Sequence, residues 1–181
     1  MRRFSTYLTA VVAWIACSPV EAARIETQPL AIYQSSEYGF SFAYPPWIFA
    51  PIAGKAGQGV NDAAKQRYGQ AFISKDQRAF LVTAAARNDQ RADARMLLAT
   101  ALRTTYASTR ITYQRLWDGE YVVSGYKGRD IFYERASVNC GGRVVTAWVM
   151  TYPASERATY DPIVTELVRS FRPGEGRGRC P

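Results

Sequence analysis

The chain has 181 residues, with 23 lysines and arginines against 15 acidic residues, a formal net charge of +8 and no histidine. Without imidazole it lacks the commonest general base, the commonest metal ligand and every catalytic triad built on histidine. Its cysteines form no Cys-x-x-Cys pair, so a zinc site or a thiol redox site has no support either, and we expect no cofactor or metal.

The first 22 residues have the pattern of a removable export signal. A basic start at residues 2–3 is followed by an apolar run over residues 7–17. Val20 and Ala22 place small side chains three and one positions before the expected cut, where signal peptidase recognises them. The run is much shorter than the ~20 residues that span a bilayer, so we expect cleavage after Ala22 and no transmembrane anchor. Lipidation of Cys17, in a loose lipobox, is the alternative.

After removal of the signal, the sequence predicts a protein with a single domain, located in the periplasm or outside the cell. Residues 23–36 form an N-terminal segment, residues 37–172 form the domain, and residues 173–181 form a tail rich in glycine and arginine. We find no internal repeat and no linker long enough to separate two domains.

The domain begins with strand patterns. Residues 38–44 alternate aromatic with small side chains, which predicts a strand with one aromatic face that ends at Pro45. Residues 47–50 predict a second short strand, and a glycine-rich irregular segment follows from residue 54 to residue 64. Residues 70–74 and 79–86 then predict a hairpin.

A helix and a meander come next. Asp93 is a candidate N-cap for a helix whose apolar positions recur with helical spacing from Ala94 to Leu102. Strands are predicted over residues 111–117, 120–126, 129–139 and 143–152. The first two meet across Asp118-Gly119, a pair suited to a type I′ turn.

A second helix is predicted near the end of the chain. Asp161 is the expected N-cap and Pro162 the expected first helical residue, where its missing N–H costs nothing. Sequential hairpins with two main helices favour an α+β fold, in which the helices pack on an antiparallel sheet of about six to eight strands.

Two motifs resemble the ends of PsbP-like domains, which are named after an extrinsic protein of photosystem II. Residues 38–45 spell Tyr-Gly-Phe-Ser-Phe-Ala-Tyr-Pro, and residues 160–164 spell Tyr-Asp-Pro-Ile-Val ahead of Ser170-Phe171. Residues between them are similar to those of exported alphaproteobacterial members, and the resemblance spans about residues 37 to 172. It implies an α/β/α sandwich and a non-catalytic accessory or binding role, without the photosystem role.

Two cysteines remain after the signal is removed. Cys140 lies in the turn-like segment 139–142, and Cys180 lies in the tail. Because an exported protein meets an oxidising environment, a disulfide between them is favoured over free or intermolecular thiols.

The basic charge suggests an acidic partner. Export makes nucleic acid improbable and leaves an envelope protein or an anionic envelope component. The candidate binding residues are Trp47 with the neighbouring loop lysine Lys55, and the basic tail residues Arg172, Arg177 and Arg179. The sequence leaves the oligomeric state open.

Catalysis has only weak candidates. A carboxylate-based envelope hydrolase is the alternative function, with Asp118 and Glu120, or Asp130 and Glu134, as acid and nucleophile. The turn explains Asp118, and the flanking Arg129 and Arg135 predict surface ion pairs for the second couple. We therefore expect no catalytic residues.

Overall fold

A computed structural model describes residues 28–53, residues 69–174 and Cys180. The expected signal and Cys17, the glycine-rich segment with Lys55, and Arg177 and Arg179 lie outside these residues. The elements in chain order are β1 Ala31–Gln34, β2 Ser41–Tyr44, β3 Phe49–Pro51, β4 Ala71–Ser74, β5 Phe80–Arg87, α1 Ala94–Arg103, β6 Arg110–Trp117, β7 Glu120–Lys127, β8 Asp130–Asn139, β9 Val144–Pro153 and α2 Arg157–Ser170.

Seven of these strands form one antiparallel sheet in the order β3-β4-β5-β9-β8-β7-β6. The long strands β8 and β9 lie at its centre and pair over their full length from Asp130–Pro153 to Asn139–Val144. β1 and β2 form a separate two-stranded sheet, which an isolated bridge between Ser41 and Arg172 ties to the segment after α2. The predicted α+β fold is confirmed.

The two helices cover opposite faces of the seven-stranded sheet. α2 packs over a core that contains Trp148, Met150 and Leu167. α1 packs over a second core that contains Val123, Phe132 and Ala136. Since side chains alternate across a strand, neighbouring residues such as Phe132 and Tyr133 belong to different faces. The layers therefore have the α/β/α order. Neither helix of the described residues is long and apolar enough to cross a bilayer.

The start of α1 follows the prediction. The Asp93 carboxylate accepts a hydrogen bond from the Met96 N–H at 2.7 Å and caps the helix. Ala94 and Leu98 are buried on the sheet.

The start of α2 differs from the prediction. The helix begins at Arg157, and Pro162 is its sixth residue. Helical N–H groups bond to the carbonyl four residues back, so Pro162, which has no N–H, cannot donate to the Ala158 carbonyl. The additional turn buries Tyr160 with its ring 5.4 Å from that of Tyr152, and we attribute the early start to this aromatic contact.

Two strands near the start of the domain are shorter than predicted, and one was missed. Gly39 has a φ of 71° and turns the chain, so β2 begins at Ser41 instead of residue 38. β3 begins at Phe49 instead of residue 47. β1 lies within the segment 23–36, where the sequence predicted no strand.

The hairpin between β6 and β7 has the predicted loop but not the predicted turn. Trp117 pairs with Glu120 across Asp118 and Gly119. Gly119 has a φ of 72°, but among the described residues the non-glycine positions with positive φ are Gln77, Arg91 and Cys140. A type I′ turn needs positive φ at both central residues, so that turn type is wrong.

Candidate functional site

α2 leaves part of its own sheet face open, next to the edge strand β6. A groove runs there, with α2 as one wall and β6, β7 and β8 as its floor. Two cavities of about 560 and 340 Å³ adjoin in it and share Tyr113 and Tyr133. We call this feature the β6–α2 groove.

A bulge in β6 decides which side chains enter the groove. Tyr113, Arg115 and Trp117 are alternate residues, so they share one face of the strand. Arg110 is three residues before Tyr113 and would lie on the opposite face of a regular strand. The register shifts between Ile111 and Tyr113, and the extra residue returns Arg110 to the groove face, with its guanidinium carbon 4.2 Å from the centre of the Tyr126 ring.

Four arginines lie in or beside the groove, and two of them are paired with carboxylates. Arg135 donates to the Glu120 carboxylate at 2.7 and 3.2 Å and to the Val168 carbonyl at 2.9 Å. Arg157 donates to the Asp161 carboxylate at 3.1 Å. Arg135 therefore joins β7, β8 and α2, whereas the Arg157–Asp161 pair lies within α2.

The other two arginines have no carboxylate partner among the described residues. The guanidinium of Arg110 lies over Tyr126, and that of Arg115 lies 4.9 Å from the centre of the Trp117 ring. Trp117 and Tyr113 keep 41% and 45% of their surface exposed. Since a guanidinium over a ring still has N–H groups free to donate, the β6 side of the groove presents unpaired positive charge beside the exposed rings of Tyr113 and Trp117.

A buried phenol of β9, that of Tyr152, is hydrogen-bonded to the α2 wall of the groove. The Tyr152 hydroxyl donates to the Asp161 carboxylate at 2.7 Å. Burial, and next the bond to Asp161, raise the pKa of Tyr152 above its usual range. Asp161, the predicted helix cap, thus joins β9 to α2 and pairs with Arg157.

Glu134 lies on the other face of the sheet, under α1, and is 8% exposed. Its two carboxylate oxygens accept hydrogen bonds from the Tyr106 and Tyr121 hydroxyls. Burial raises the pKa of Glu134, while the two hydroxyl bonds act against this rise. The predicted surface ion pair is therefore wrong for Glu134, because β8 is a central strand with a helix over this face. Asp130 is exposed at the beginning of the strand.

Of the predicted binding residues, the structure describes Trp47 and Arg172, and it does not bring these two together. Trp47 is half-buried and lines an apolar cavity of about 580 Å³ between the β2–β3 connection and α2, together with Pro45, Ile48 and Ile163. Arg172 is exposed after the end of α2, where its guanidinium donates to the Arg169 and Phe171 carbonyls. Arg172 does not line the Trp47 cavity.

The predicted disulfide is present. Cys140 and Cys180 are bonded, with their Cα atoms 5.5 Å apart. The bond attaches the tail to the turn between β8 and β9. Among the described residues, no group of three or more cysteine and acidic side chains is arranged to hold a metal ion.

Sequence reasoning missed the groove residues Arg110, Tyr113, Arg115 and Trp117. A signal was available, since Tyr113, Arg115 and Trp117 alternate along a predicted hairpin strand. The bulge that adds Arg110 and the position of α2 have no such signal, because both depend on contacts between elements distant in the chain.

No family model matches this chain, and no curated protein matches it. Among solved structures, it is similar to the solution structure of cyanobacterial PsbP (CyanoP) from Synechocystis sp. PCC 6803, with a TM-score of 0.56 and 14% sequence identity. The match covers 79% of this chain and 91% of the cyanobacterial one. At this identity the likeness is evidence on the fold alone. The chain therefore has the PsbP-like fold that the motifs at the two ends of its domain suggested.

Proposed function

We propose that this chain is a non-catalytic, exported accessory domain that binds an acidic component of the cell envelope through the β6–α2 groove. The observation that carries the proposal is the pair Arg110 and Arg115. Arg110 lies over the half-buried ring of Tyr126 and Arg115 lies over the exposed ring of Trp117. Neither arginine has a carboxylate partner in the described part of the chain. An acidic ligand would gain charge-assisted hydrogen bonds there without breaking an existing ion pair.

The exposed rings of Tyr113 and Trp117 also support a binding role for the groove. Arginine and large aromatic residues are enriched at protein interfaces, where they contribute most of the binding energy. Tyr113 and Trp117 also lie beside the paired Arg135 and Glu120 in one cavity. The groove therefore combines apolar contact area with unpaired positive charge, and we favour an envelope protein over a purely anionic polymer.

Export rests on the leader-like sequence over residues 1–22 and on the disulfide. A bond between Cys140 and Cys180 is typical of proteins that fold in an oxidising compartment. A partner in the periplasm or at the cell surface fits both features.

The alternative of a carboxylate-based hydrolase loses its strongest candidate pair. A nucleophilic carboxylate must reach its substrate, but Glu134 is buried and both of its oxygens accept hydrogen bonds from tyrosine hydroxyls. Asp118 and Glu120 do line the groove, but Glu120 is paired with Arg135.

Co-purification from envelope extract tests the proposal. The double variant Arg110→Gln, Arg115→Gln removes both unpaired charges. The matched control Arg78→Gln, Arg87→Gln removes the same charge from exposed arginines that pair with Glu156 and Asp89. We expect a partner that the wild type and the control retain at low salt, that high salt releases, and that the groove variant loses. Equal retention by both variants would refute the groove as the binding surface.

A further inference from the structure

The two edges of the seven-stranded sheet are built differently. β3, at one edge, has three residues and ends in Pro51, which lacks the N–H that a further strand would need. β6, at the other edge, has eight residues and contains neither proline nor lysine. Short strands, proline and lysine are the usual protection of sheet edges against pairing. β6 is protected by a bulge near its beginning and by the charged side chains of Arg110 and Arg115, but the strand is regular from Tyr113 to Trp117.

The backbone of this regular stretch is open on one side. β6 pairs with β7 and with no other described strand. In an antiparallel pair, alternate residues bond to the neighbouring strand, and the two-residue loop closes on the pair Trp117–Glu120. This alternation directs the N–H and C=O groups of Trp117 and Arg115 toward β7 and leaves those of Gln114 and Leu116 on the open edge.

Arginines flank the open edge on both faces of the sheet. Arg110 and Arg115 lie on the groove face without carboxylate partners in the described chain. On the other face, Arg95 of α1 lines a cavity of about 310 Å³ together with Gln114 and Leu116, and Arg115 also borders this cavity at the strand edge. An added strand would therefore meet arginine on either side of its backbone, which favours acidic side chains.

We propose that β6 takes up an extended acidic segment of a partner protein as an eighth strand of the sheet. The inference rests on the proposed function and deepens it, because it states how the partner binds. Main-chain hydrogen bonds to Gln114 and Leu116 would supply affinity, as in other strand-addition complexes, and the arginines would select acidic residues. Tyr113 and Trp117 would cover the apolar residues of the added strand on the groove face.

Peptides selected on the folded, disulfide-bonded protein provide the probe. A displayed random library of peptides about ten residues long, the length of a long strand, is enriched on the wild type at low salt. The best peptide is then synthesised twice, once unmodified and once with N-methyl groups on all of its backbone nitrogens. The second form keeps every side-chain charge but has no backbone N–H to donate on either of its edges.

We expect enrichment of acidic peptides, binding of the unmodified form, and at least about tenfold weaker binding of the methylated form. Hydrogen exchange at the Gln114 and Leu116 amides should slow at least about tenfold in the complex. Gln114→Pro should weaken binding about tenfold, since it removes an outward N–H, whereas the matched Gln114→Ala keeps that N–H and should stay within about twofold.

The outcomes separate the two proposals. Equal binding of both peptide forms, lost in the Arg110→Gln, Arg115→Gln variant, would overturn strand addition and leave the groove as the binding surface. In the peptide selection, failure to enrich any acidic peptide would overturn strand addition. In the co-purification, retention of envelope polysaccharide or lipid alone would assign the groove a non-protein ligand. The two peptide forms are compared on the wild-type protein, so this comparison tests strand addition even if Gln114→Pro does not fold.

Discussion

Replacement of the buried Glu134 should change how the stability of this protein depends on pH. The carboxyl is 8% exposed and bonded to two tyrosine hydroxyls, and burial raises its pKa. Glu134→Gln removes the ionisable group and keeps hydrogen-bonding atoms for both Tyr106 and Tyr121. Glu134→Ala removes those atoms as well.

The direction in which the free energy of unfolding changes with pH follows from the raised pKa of Glu134. Below about pH 4.3, the usual glutamate pKa, the carboxyl is protonated in both states and its contribution to stability is fully present. As the pH rises further, the unfolded state ionises first, so the free energy of unfolding falls by about 1.4 kcal/mol per pH unit until the pH passes the folded-state pKa of Glu134.

Urea unfolding followed by tryptophan fluorescence, between about pH 4 and about pH 8, measures this dependence. We expect Glu134→Gln to gain stability relative to the wild type as the pH rises. Glu134→Ala should be destabilised throughout, because each buried hydroxyl left without an acceptor costs about 1–3 kcal/mol. A difference between wild type and Glu134→Gln that is constant with pH would refute the reasoning.

Three further predictions concern stability. Replacing Cys140 and Cys180 by serine opens a loop with a sequence separation of 40 residues and should cost about 2–4 kcal/mol; a reductant that leaves the urea midpoint of the wild type unchanged would contradict this. Arg135→Lys cannot keep all the hydrogen bonds of the guanidinium to Glu120 and to α2, so we expect the free energy of unfolding in urea to fall by about 1–2 kcal/mol. Equal stability of the variant and the wild type would show that the arginine is dispensable. Gly125→Ala would place a methyl group 2.2 Å from the Arg110 carbonyl oxygen, so β6 must shift at a cost of about 1–3 kcal/mol; an unchanged unfolding midpoint would contradict the close approach.

Much of the fold could be predicted because its signals are local. The hairpins from β4 to β9 show alternation and turn residues within a few positions of each other. The Asp93 cap acts on an N–H three residues away. The same local reasoning failed for α2, because the Asp-Pro pair at 161–162 is a strong start signal that the packing of Tyr160 overrides.

Less of the site could be predicted because it depends on distant contacts. Arg129 and Arg135 flank the couple Asp130 and Glu134 and suggest a solvent-facing strand, but α1 and the segment with Tyr106 cover the face that carries Glu134. The choice of Trp47 and Arg172 assumed that function would lie in loops and in the basic tail. The candidate groove arises where α2 stops short of the edge strand β6, a position that no local pattern marks.

In-cell photo-crosslinking tests the central claim most directly. A photoreactive amino acid is placed at Tyr113 in the groove, or at Phe80 on the opposite face of the sheet, where the wild-type side chains are 45% and 44% exposed. We predict a crosslink to a specific envelope component from position 113 and none from position 80. Crosslinks of equal yield from both positions, or from position 80 alone, would contradict the assignment of the groove as the binding surface.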